Sequence, residues 1–380
     1  MGNRTWLVGI LLFLGIFVIY VSTSPGNTIY NHFILLADAL LHGNLHIAGI
    51  YPWLEKIPID SLNFYVANPP APAILALPLV AVFGKNIPQQ YLAHLFGAGI
   101  AVITFFTSLE IRKSKFLAVW SALLLSLGSI NWYLSVVGST WYLAHLVAQL
   151  FLATAVLLSL KNLSPFWVGI CIGIAYLSRI PTILTLPLFL YFYRKNRMIN
   201  YSYLFAGILP FLFLNFAYNF LRFGVIWDIG YTMIPGVATE PWYRNGVVHL
   251  SYIPSHLKIV LTKLPTFAEL ISLKPSSAGY AVWFTSPAFA YALFNKRGQK
   301  IVLFSWLSIL LVSCLIFSHG STGFSQFGYR FATDFYPILA FLTIGGVASQ
   351  NGPKRHHWIF LILGVLVNFW GILSLNILSS

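Results

Sequence analysis

Long apolar runs follow one another along this chain with only short polar breaks between them. A helix that crosses the hydrocarbon core of a bilayer needs roughly 20 apolar residues. The candidate runs are 5–22, 89–109, 116–134, 141–160, 165–178, 181–193, 201–220, 280–295, 301–318, 331–348 and 358–378. This succession predicts an all-α polytopic membrane protein, a bundle of about eleven transmembrane helices.

The composition supports a membrane protein. Charged residues make up 8% of the chain and hydrophobic residues 58%, whereas soluble domains carry roughly 25% charged residues. The net charge of +14 comes from short basic clusters between apolar runs, which is typical of loops at a cytoplasmic leaflet, so no nucleic-acid partner is predicted. Cys171 and Cys314 lie inside apolar runs and indicate neither a disulfide framework nor a zinc site.

The basic clusters predict the topology. They are "RKSK" (112–115), Lys161, "RKNR" (194–197), "KRGQK" (296–300) and "GPKRHH" (352–357). With a cytoplasmic N-terminus, and with the first run as an uncleaved span, all of these clusters fall inside, as the positive-inside rule expects. Every acidic residue except Glu110 then lies outside. A multi-pass protein of the cell membrane with its active site on the outer face is predicted.

This topology gives a single transmembrane domain, 1–380, with long outer loops at 23–88 and 222–279. The short runs 165–178 and 181–193, on either side of "SRIP", are either spans or half-spans. In the second loop, the segment "SYIPSHLKIVLTKLPTFAELI" predicts an amphipathic helix at the membrane surface.

The first outer loop begins with "IYNHFILLADALLHGNL", which predicts an interfacial helix. Asn31, Asp38 and His42 share one stripe of it, because they are seven and four residues apart. The stripe is either a solvated face or a polar site in which Asp38 is a general base supported by Asn31 and His42.

The same loop continues to "NPPAPAILALPLVAVFG", where prolines precede a second juxtamembrane helix over 71–84, too short to span comfortably. Asp60, just upstream of Phe64 and Tyr65, either solubilises the loop or is a second carboxylate in the same site.

Three arginines, Arg179, Arg222 and Arg330, lie at predicted outer membrane edges. Arginine binds phosphate bidentately, although each could also extend to lipid headgroups. Asp228 follows Arg222 in "YNFLRFGVIWDIGYT", whose aromatic residues suit a ligand that is part polar and part lipid.

The segment "SQFGYRFATDFYPILAFLTIGGVA" places charges at the start of an apolar run, which is costly unless they are used. We expect Tyr329 and Arg330 to face a phosphate, and Asp334 to pair with Arg330 or with a neighbouring span.

Taken in order, these motifs resemble the GT-C superfamily of integral-membrane glycosyltransferases, particularly bacterial proteins similar to dolichyl-phosphate-mannose-dependent mannosyltransferases. The resembling segments are "NHFILLADALLHGNL", "YVANPPAPAILALPLVAVFG", "GIAYLSRIPTILTLPL", "YNFLRFGVIWDIGYT", "FTSPAFAYAL" and "QFGYRFATDFYPILAFL". The resemblance implies inverting transfer of a sugar from a polyprenyl-phosphate donor to an acceptor glycan, lipid or protein. It also implies a first-loop carboxylate as base and basic residues that stabilise the leaving phosphate.

The chain departs from this pattern directly after the first span. Many superfamily members have an aspartate there, whereas this chain has "SPGNTIYN". The base role therefore passes to Asp38 or Asp60, with Asp38 preferred, or the protein is an inactive scaffold of the same fold. Some members use a divalent metal, but the adjacent carboxylates that would support one here are missing, so no cofactor or metal ligand is assigned. A secondary transporter is the other alternative, although the internal repeat typical of that class is not seen.

Overall fold

The computed structural model describes residues 3–296 and 298–379. Within these ranges the α-helices in chain order are α1 (Asn3–Thr23), α2 (His32–Leu41), α3 (Ala71–Phe83), α4 (Gln90–Ile111), α5 (Lys115–Ser126), α6 (Asn131–Val137), α7 (Thr140–Leu160), α8 (Pro165–Ser178), α9 (Leu186–Phe192), α10 (Arg197–Phe223), α11 (Ile253–Thr262), α12 (Phe267–Ile271), α13 (Val282–Thr285), α14 (Gln299–Phe317), α15 (Tyr336–Ser349) and α16 (Arg355–Ser379). The strands are β1 (Ile47–Ala48), β2 (Ile57–Pro58), β3 (Asn63–Tyr65), β4 (Ala278–Tyr280) and β5 (Gln326–Gly328).

The predicted all-α polytopic membrane fold is confirmed. Among the described residues, six helices are long and apolar enough to cross a bilayer, and α5 with α6 forms a seventh span, bent by 56°. The six are α1, α4, α7, α10, α14 and α16. The helices α2, α3, α8 and α15 are apolar but shorter, as is the helical stretch Ile180–Phe192.

Three of the predicted apolar runs do not form a single long helix. The pair 165–178 and 181–193 is broken at Arg179, after which a 3₁₀-helix, Ile180–Thr185, leads into α9. The run 280–295 contains only α13 and a 3₁₀-helix, Pro287–Phe294. Pro287 has no backbone N–H to donate, which separates α13 from the segment that follows.

Close helix packing in the bundle depends on glycine. The helices α8 and α10 approach at Gly169 and Gly207, where an added Cβ would lie 2.1 Å from the Leu204 carbonyl oxygen and 2.2 Å from that of Phe166. Small residues let helix backbones meet in this way inside membranes. Because α8 also packs on α7, this contact fixes the place where α8 ends and Arg179 follows.

The basic loops gather at one end of the bundle. Arg112 Nη1 donates to the Ala348 carbonyl (3.1 Å), and the Lys296 backbone N–H donates to Ser349 Oγ (3.2 Å). The clusters at 112–115 and 296–300 therefore meet the chain just before the cluster at 352–357, although Arg297 lies outside the described residues. Their placement on the cytoplasmic side remains a prediction.

The first outer loop contains α2, a small antiparallel sheet and α3. The strand order is β1-β3-β2, with Ile47 opposite Phe64 and Ile57 opposite Tyr65. The helix α2 is shorter than the predicted one, so that Asn31 and His42 lie at its two ends and only Asp38 lies within it.

The second outer loop holds the predicted amphipathic segment as two short helices, α11 and α12, instead of one. Thr266 and Glu269 form a capping box at the start of α12. The strands β4 and β5 pair in parallel, with Tyr280 opposite Gly328. This pairing fixes the loop against the segment that leads into Arg330.

Candidate active site

A cavity of about 520 Å³ opens where the two long loops meet the ends of α7, α8 and α14. It combines cationic and polar side chains with an apolar wall. The residues lining it are Ala67, Asn68, Pro69, Trp141, His145, Ser178, Arg179, Ile180, Pro181, Asp228, Ile229, Tyr231, Thr232, Val247, Val248, Leu315, Ile316, His319, Arg330 and Phe331. Three residues singled out from the sequence, Arg179, Arg330 and Asp228, line this cavity, whereas Arg222 does not.

Asp334 is fully buried behind this cavity and organises two of its lining residues. Its carboxylate accepts from Arg179 Nη2 (2.9 Å) and from Arg179 Nε, 3.2 Å from each carboxylate oxygen. Asp334 Oδ1 also lies 2.7 Å from His145 Nδ1. Asp334 was expected to pair with Arg330 or with a neighbouring span. Its partners are on the neighbouring helices, since His145 lies on α7 and Arg179 directly follows α8. One carboxylate thus holds both the Arg179 guanidinium and the His145 imidazole at the cavity wall.

Arg330 is 7% exposed and retains free hydrogen-bonding capacity. Its Nη1 donates to the Phe324 carbonyl (3.0 Å), whereas its Nε has no hydrogen-bond partner among the described residues. A buried guanidinium donor is seldom left unpaired in a folded protein. An unpaired donor beside a cavity is suited to an anionic ligand.

The ring of Phe331 lies at the centre of the cationic part of the cavity. The Arg330 and Arg179 guanidinium carbons are 5.4 Å and 5.7 Å from its centroid. The centroid of the His145 ring is 6.0 Å away. We call the three residues Arg179, Arg330 and His145 the cationic cluster.

Two residues predicted to bind the donor lie outside this cluster. Tyr329 is fully buried, and its hydroxyl is 2.6 Å from His256 Nδ1. Arg222 is buried under the first loop, where it donates to the carbonyls of Tyr218 and Val66 and to Asn219 Oδ1. Neither is among the residues that line the cavity, and their predicted contact with the donor remains a prediction.

Asp228 lines the cavity on the side of the second outer loop. The Gly230 backbone N–H donates to its Oδ1 (3.1 Å). Although Asp228 is exposed as a residue, desolvation raises the pKa of its carboxyl, and this effect outweighs the hydrogen bond and the charge of Arg222, which both lower it. Asp228 is thus a polar group in the cavity wall with an elevated affinity for a proton.

The two aspartates predicted as the base are not among the described lining residues. Asp38 is partly exposed, with its Oδ1 4.0 Å from His42 Nδ1. Asp60 is exposed and accepts from the backbone N–H groups of Leu62 and Asn63, each at 2.8 Å. Hydrogen bonds from Asn63 and Leu62 lower the pKa of Asp60. A carboxylate engaged in this way stabilises its own turn.

Glu55, which was not singled out from the sequence, is exposed and is not among the lining residues, but its carboxylate lies near two residues that are, Trp141 and Arg330. Its backbone carbonyl is 3.0 Å from Nε2 of the buried His32. Its carboxylate interacts with the Trp141 side chain and with the charge of Arg330; both lower its pKa, but desolvation is the larger effect and raises it. The only signal in the sequence was an acid among aromatics in "YPWLEK".

The sequences and structures of known proteins were compared with this chain. No protein-family model matches the sequence, and no curated protein is significantly similar to it in sequence. Within the described residues, no group of three or more His, Cys, Asp or Glu side chains could hold a metal ion.

Solved structures do match the fold. The oligosaccharyltransferase of Archaeoglobus fulgidus in its apo form aligns over 98% of this chain, with 14% identity and a TM-score of 0.53. ArnT from Cupriavidus metallidurans bound to undecaprenyl phosphate aligns over 96%, with 11% identity and a TM-score of 0.54. The apo state of the same ArnT gives 13% identity and a TM-score of 0.53.

These matches confirm the predicted resemblance at the level of the fold alone. The chain spans 55% of the length of the oligosaccharyltransferase and 63% of that of ArnT.

Proposed function

We propose that this protein is a membrane glycosyltransferase that moves a sugar from a polyprenyl-phosphate donor to an acceptor on the outer face of the cell membrane. The observation that carries the proposal is the cavity in which two arginines and a carboxylate converge at the ends of the membrane helices. The proposal is supported by the shared fold with ArnT, one structure of which is bound to undecaprenyl phosphate.

In this proposal the two arginines of the cationic cluster, Arg179 and Arg330, receive the phosphate of the donor. Arg330 lines the cavity with a guanidinium whose Nε is unpaired among the described residues, and Arg179 is oriented by Asp334. When the glycosidic bond breaks, negative charge develops on the phosphate, and donors already in position stabilise it without reorganising. The apolar side chains Leu315 and Ile316 at the end of α14 line the same cavity and would meet the start of the lipid chain.

Glu55 is our preferred general base. Its raised pKa suits a carboxylate that must accept a proton during the reaction. The acceptor hydroxyl would give its proton to Glu55 as its oxygen attacks the anomeric carbon, and the bonding electrons of the broken C–O bond would pass to the phosphate oxygen. Attack from the face opposite the phosphate gives inversion.

The experiment that tests this function is transfer of radiolabel from polyprenyl-phosphate mannose or glucose to membrane acceptors by the purified protein. The variants Glu55→Gln, Asp38→Asn and Asp60→Asn are compared with wild type, and binding of the lipid donor is measured for each. Loss of a general base lowers the rate by roughly 10²–10⁴-fold, and we expect this loss for Glu55→Gln only.

Each other result has a definite meaning. A dead Asp38→Asn or Asp60→Asn variant that still binds donor would restore the base predicted from the sequence. If wild type neither binds nor turns over any lipid-linked sugar in a donor panel, the glycosyltransferase proposal fails, and the transporter and inactive-scaffold alternatives move ahead.

A further inference from the structure

His145 is the member of the cationic cluster that the proposed function leaves without a role. It is 1% exposed and lies on α7 at the cavity wall. Its Nδ1 is 2.7 Å from Asp334 Oδ1. Because Asp334 is also bound by the Arg179 guanidinium, it is a carboxylate that accepts hydrogen bonds, so Nδ1 carries the proton of the imidazole.

The tautomer determines what His145 offers to the cavity. With the proton on Nδ1, the second nitrogen, Nε2, presents a lone pair. Nε2 has no hydrogen-bond partner among the described residues, and His145 is one of the residues that line the cavity. A hydrogen-bond acceptor therefore faces a cavity in which the two arginines otherwise favour an anion.

An acceptor and an anion repel each other unless a proton lies between them. A phosphate monoester has a second pKa of about 6, so that it can bring a proton on one oxygen. A phosphodiester, such as a lipid-linked sugar phosphate, has no such proton.

The charge of the cluster favours the same ligand. Arg179 and Asp334 form an ion pair, which leaves Arg330 as the uncompensated charge of the group. One positive charge matches a singly charged phosphate better than a doubly charged one. The other charged groups near the cavity, Asp228 and Glu55, are acidic and disfavour a dianion further.

We propose that this site binds a lipid-linked phosphate monoester together with one proton, shared between His145 Nε2 and a phosphate oxygen. The inference rests on the proposed function, and it concerns the carrier lipid after the sugar has left. It predicts that the protein distinguishes the free carrier phosphate from its esters by proton uptake. Around His145, the charged and titratable groups are Asp334, Arg179, Arg330 and His319.

The test is calorimetric titration of the full chain in detergent with farnesyl phosphate and with its methyl ester, in two buffers of different ionisation enthalpy. At about pH 8 the free monoester is a dianion, so wild type is expected to take up close to one proton when it binds. At about pH 5 the ligand already carries that proton and uptake should be near zero. The affinity should fall about tenfold per pH unit above the phosphate pKa.

His145→Gln is the decisive variant, because an amide cannot share a proton in the same way. It should bind the methyl ester with an affinity near that of wild type and take up almost no proton with the monoester. His319→Gln is the matched control, since His319 lines the same cavity but its Nδ1 contacts the Ser321 carbonyl (2.9 Å) instead of a carboxylate. Its proton uptake should equal that of wild type.

The outcomes separate this inference from the proposed function. Monoester binding by wild type without proton uptake at about pH 8, or with the same uptake in His145→Gln, would overturn the inference and leave the phosphate site intact. If His145→Gln binds neither ligand, the wild type alone tests the inference: proton uptake at about pH 8 that disappears at about pH 5 supports it, and uptake that does not change with pH overturns it. Failure of wild type to bind either farnesyl ligand would overturn the proposed function, and the inference with it. Inorganic phosphate should bind more weakly than farnesyl phosphate; equal affinity would overturn the lipid-linked part.

Discussion

Arg222 and Arg330 are alike in the sequence, since each lies beside aromatics at a predicted outer membrane edge. Both are buried and lie against aromatic rings, Arg222 over Tyr218 and Arg330 near Trp141. They differ in their hydrogen bonds. Arg222 uses Nε, Nη1 and Nη2 within the protein, whereas Arg330 Nε is unpaired and the side chain lines the cavity. We infer that the first arginine stabilises the fold and that the second is available to a ligand.

The largest effect is expected for Asp334→Asn, which removes the partner that orients Arg179 in the cavity. Removing one member of a buried ion pair costs roughly 3–5 kcal/mol, so we expect a clear fall in melting temperature in detergent. Asp228→Asn is the control, because Asp228 lines the same cavity and forms no ion pair among the described residues. Equal melting temperatures for the two variants would show that the pair does not hold the wall together.

Arg330→Gln tests the ligand side of the comparison. Removing one donor to a developing oxyanion typically lowers kcat by about 10²–10³-fold, and we expect a loss of this size in sugar transfer. The melting temperature should change little, because a single hydrogen bond to Phe324 is lost. Arg222→Gln should keep its activity per folded molecule within a few-fold. A lower rate of sugar transfer per folded molecule for Arg222→Gln than for Arg330→Gln would contradict the assignment of Arg330 to the ligand.

Arg222→Gln tests the structural side. The substitution leaves the buried Val66 carbonyl without its guanidinium donor, and one unsatisfied buried group costs about 1–3 kcal/mol. The melting temperature should therefore drop further than in Arg330→Gln, measured in the same detergent. The reverse order of melting temperatures would contradict the assignment of Arg222 to the fold.

The smallest expected effect is a shift in the pH profile. In the proposed mechanism transfer requires ionised Glu55, and because desolvation raises its pKa, the acid limb of kcat/KM should lie at higher pH than for an ordinary glutamate. The charge of Arg330 lowers this pKa, so Arg330→Gln should move the limb to still higher pH. Arg222 does not contribute to the Glu55 shift, and Arg222→Gln should leave the limb in place. A limb that does not respond to Arg330→Gln would argue against Glu55 as the base.

Much of the fold could be read from the chain, because span length and loop charge are local properties. Each of the six long spans overlaps one of the predicted apolar runs. The run 280–295 was predicted as one span, but Pro287 inside it separates two short helical segments. The bend between α5 and α6 also escaped notice, as neither a charge nor a proline interrupts the run 116–134.

The candidate site was only partly predictable. Arg179, Arg330 and Asp228 were identified because arginines and acids at a membrane edge are rare and therefore conspicuous. Glu55 was missed, because nothing near it in the sequence shows that His32 holds its carbonyl or that Trp141 and Arg330 face its carboxylate.

Apolar periodicity and charge placement already dictate that this chain is a polytopic α-helical protein with six of its eight acids grouped in two loops, because burial in a bilayer acts on each segment separately. Which arginine serves a ligand depends instead on partners far apart in the chain. Asp334 reaches Arg179 across 155 residues and His145 across 189. The packing of α7, α8 and the segment before α15 brings these groups together, and such long-range contacts arise only when the helices assemble.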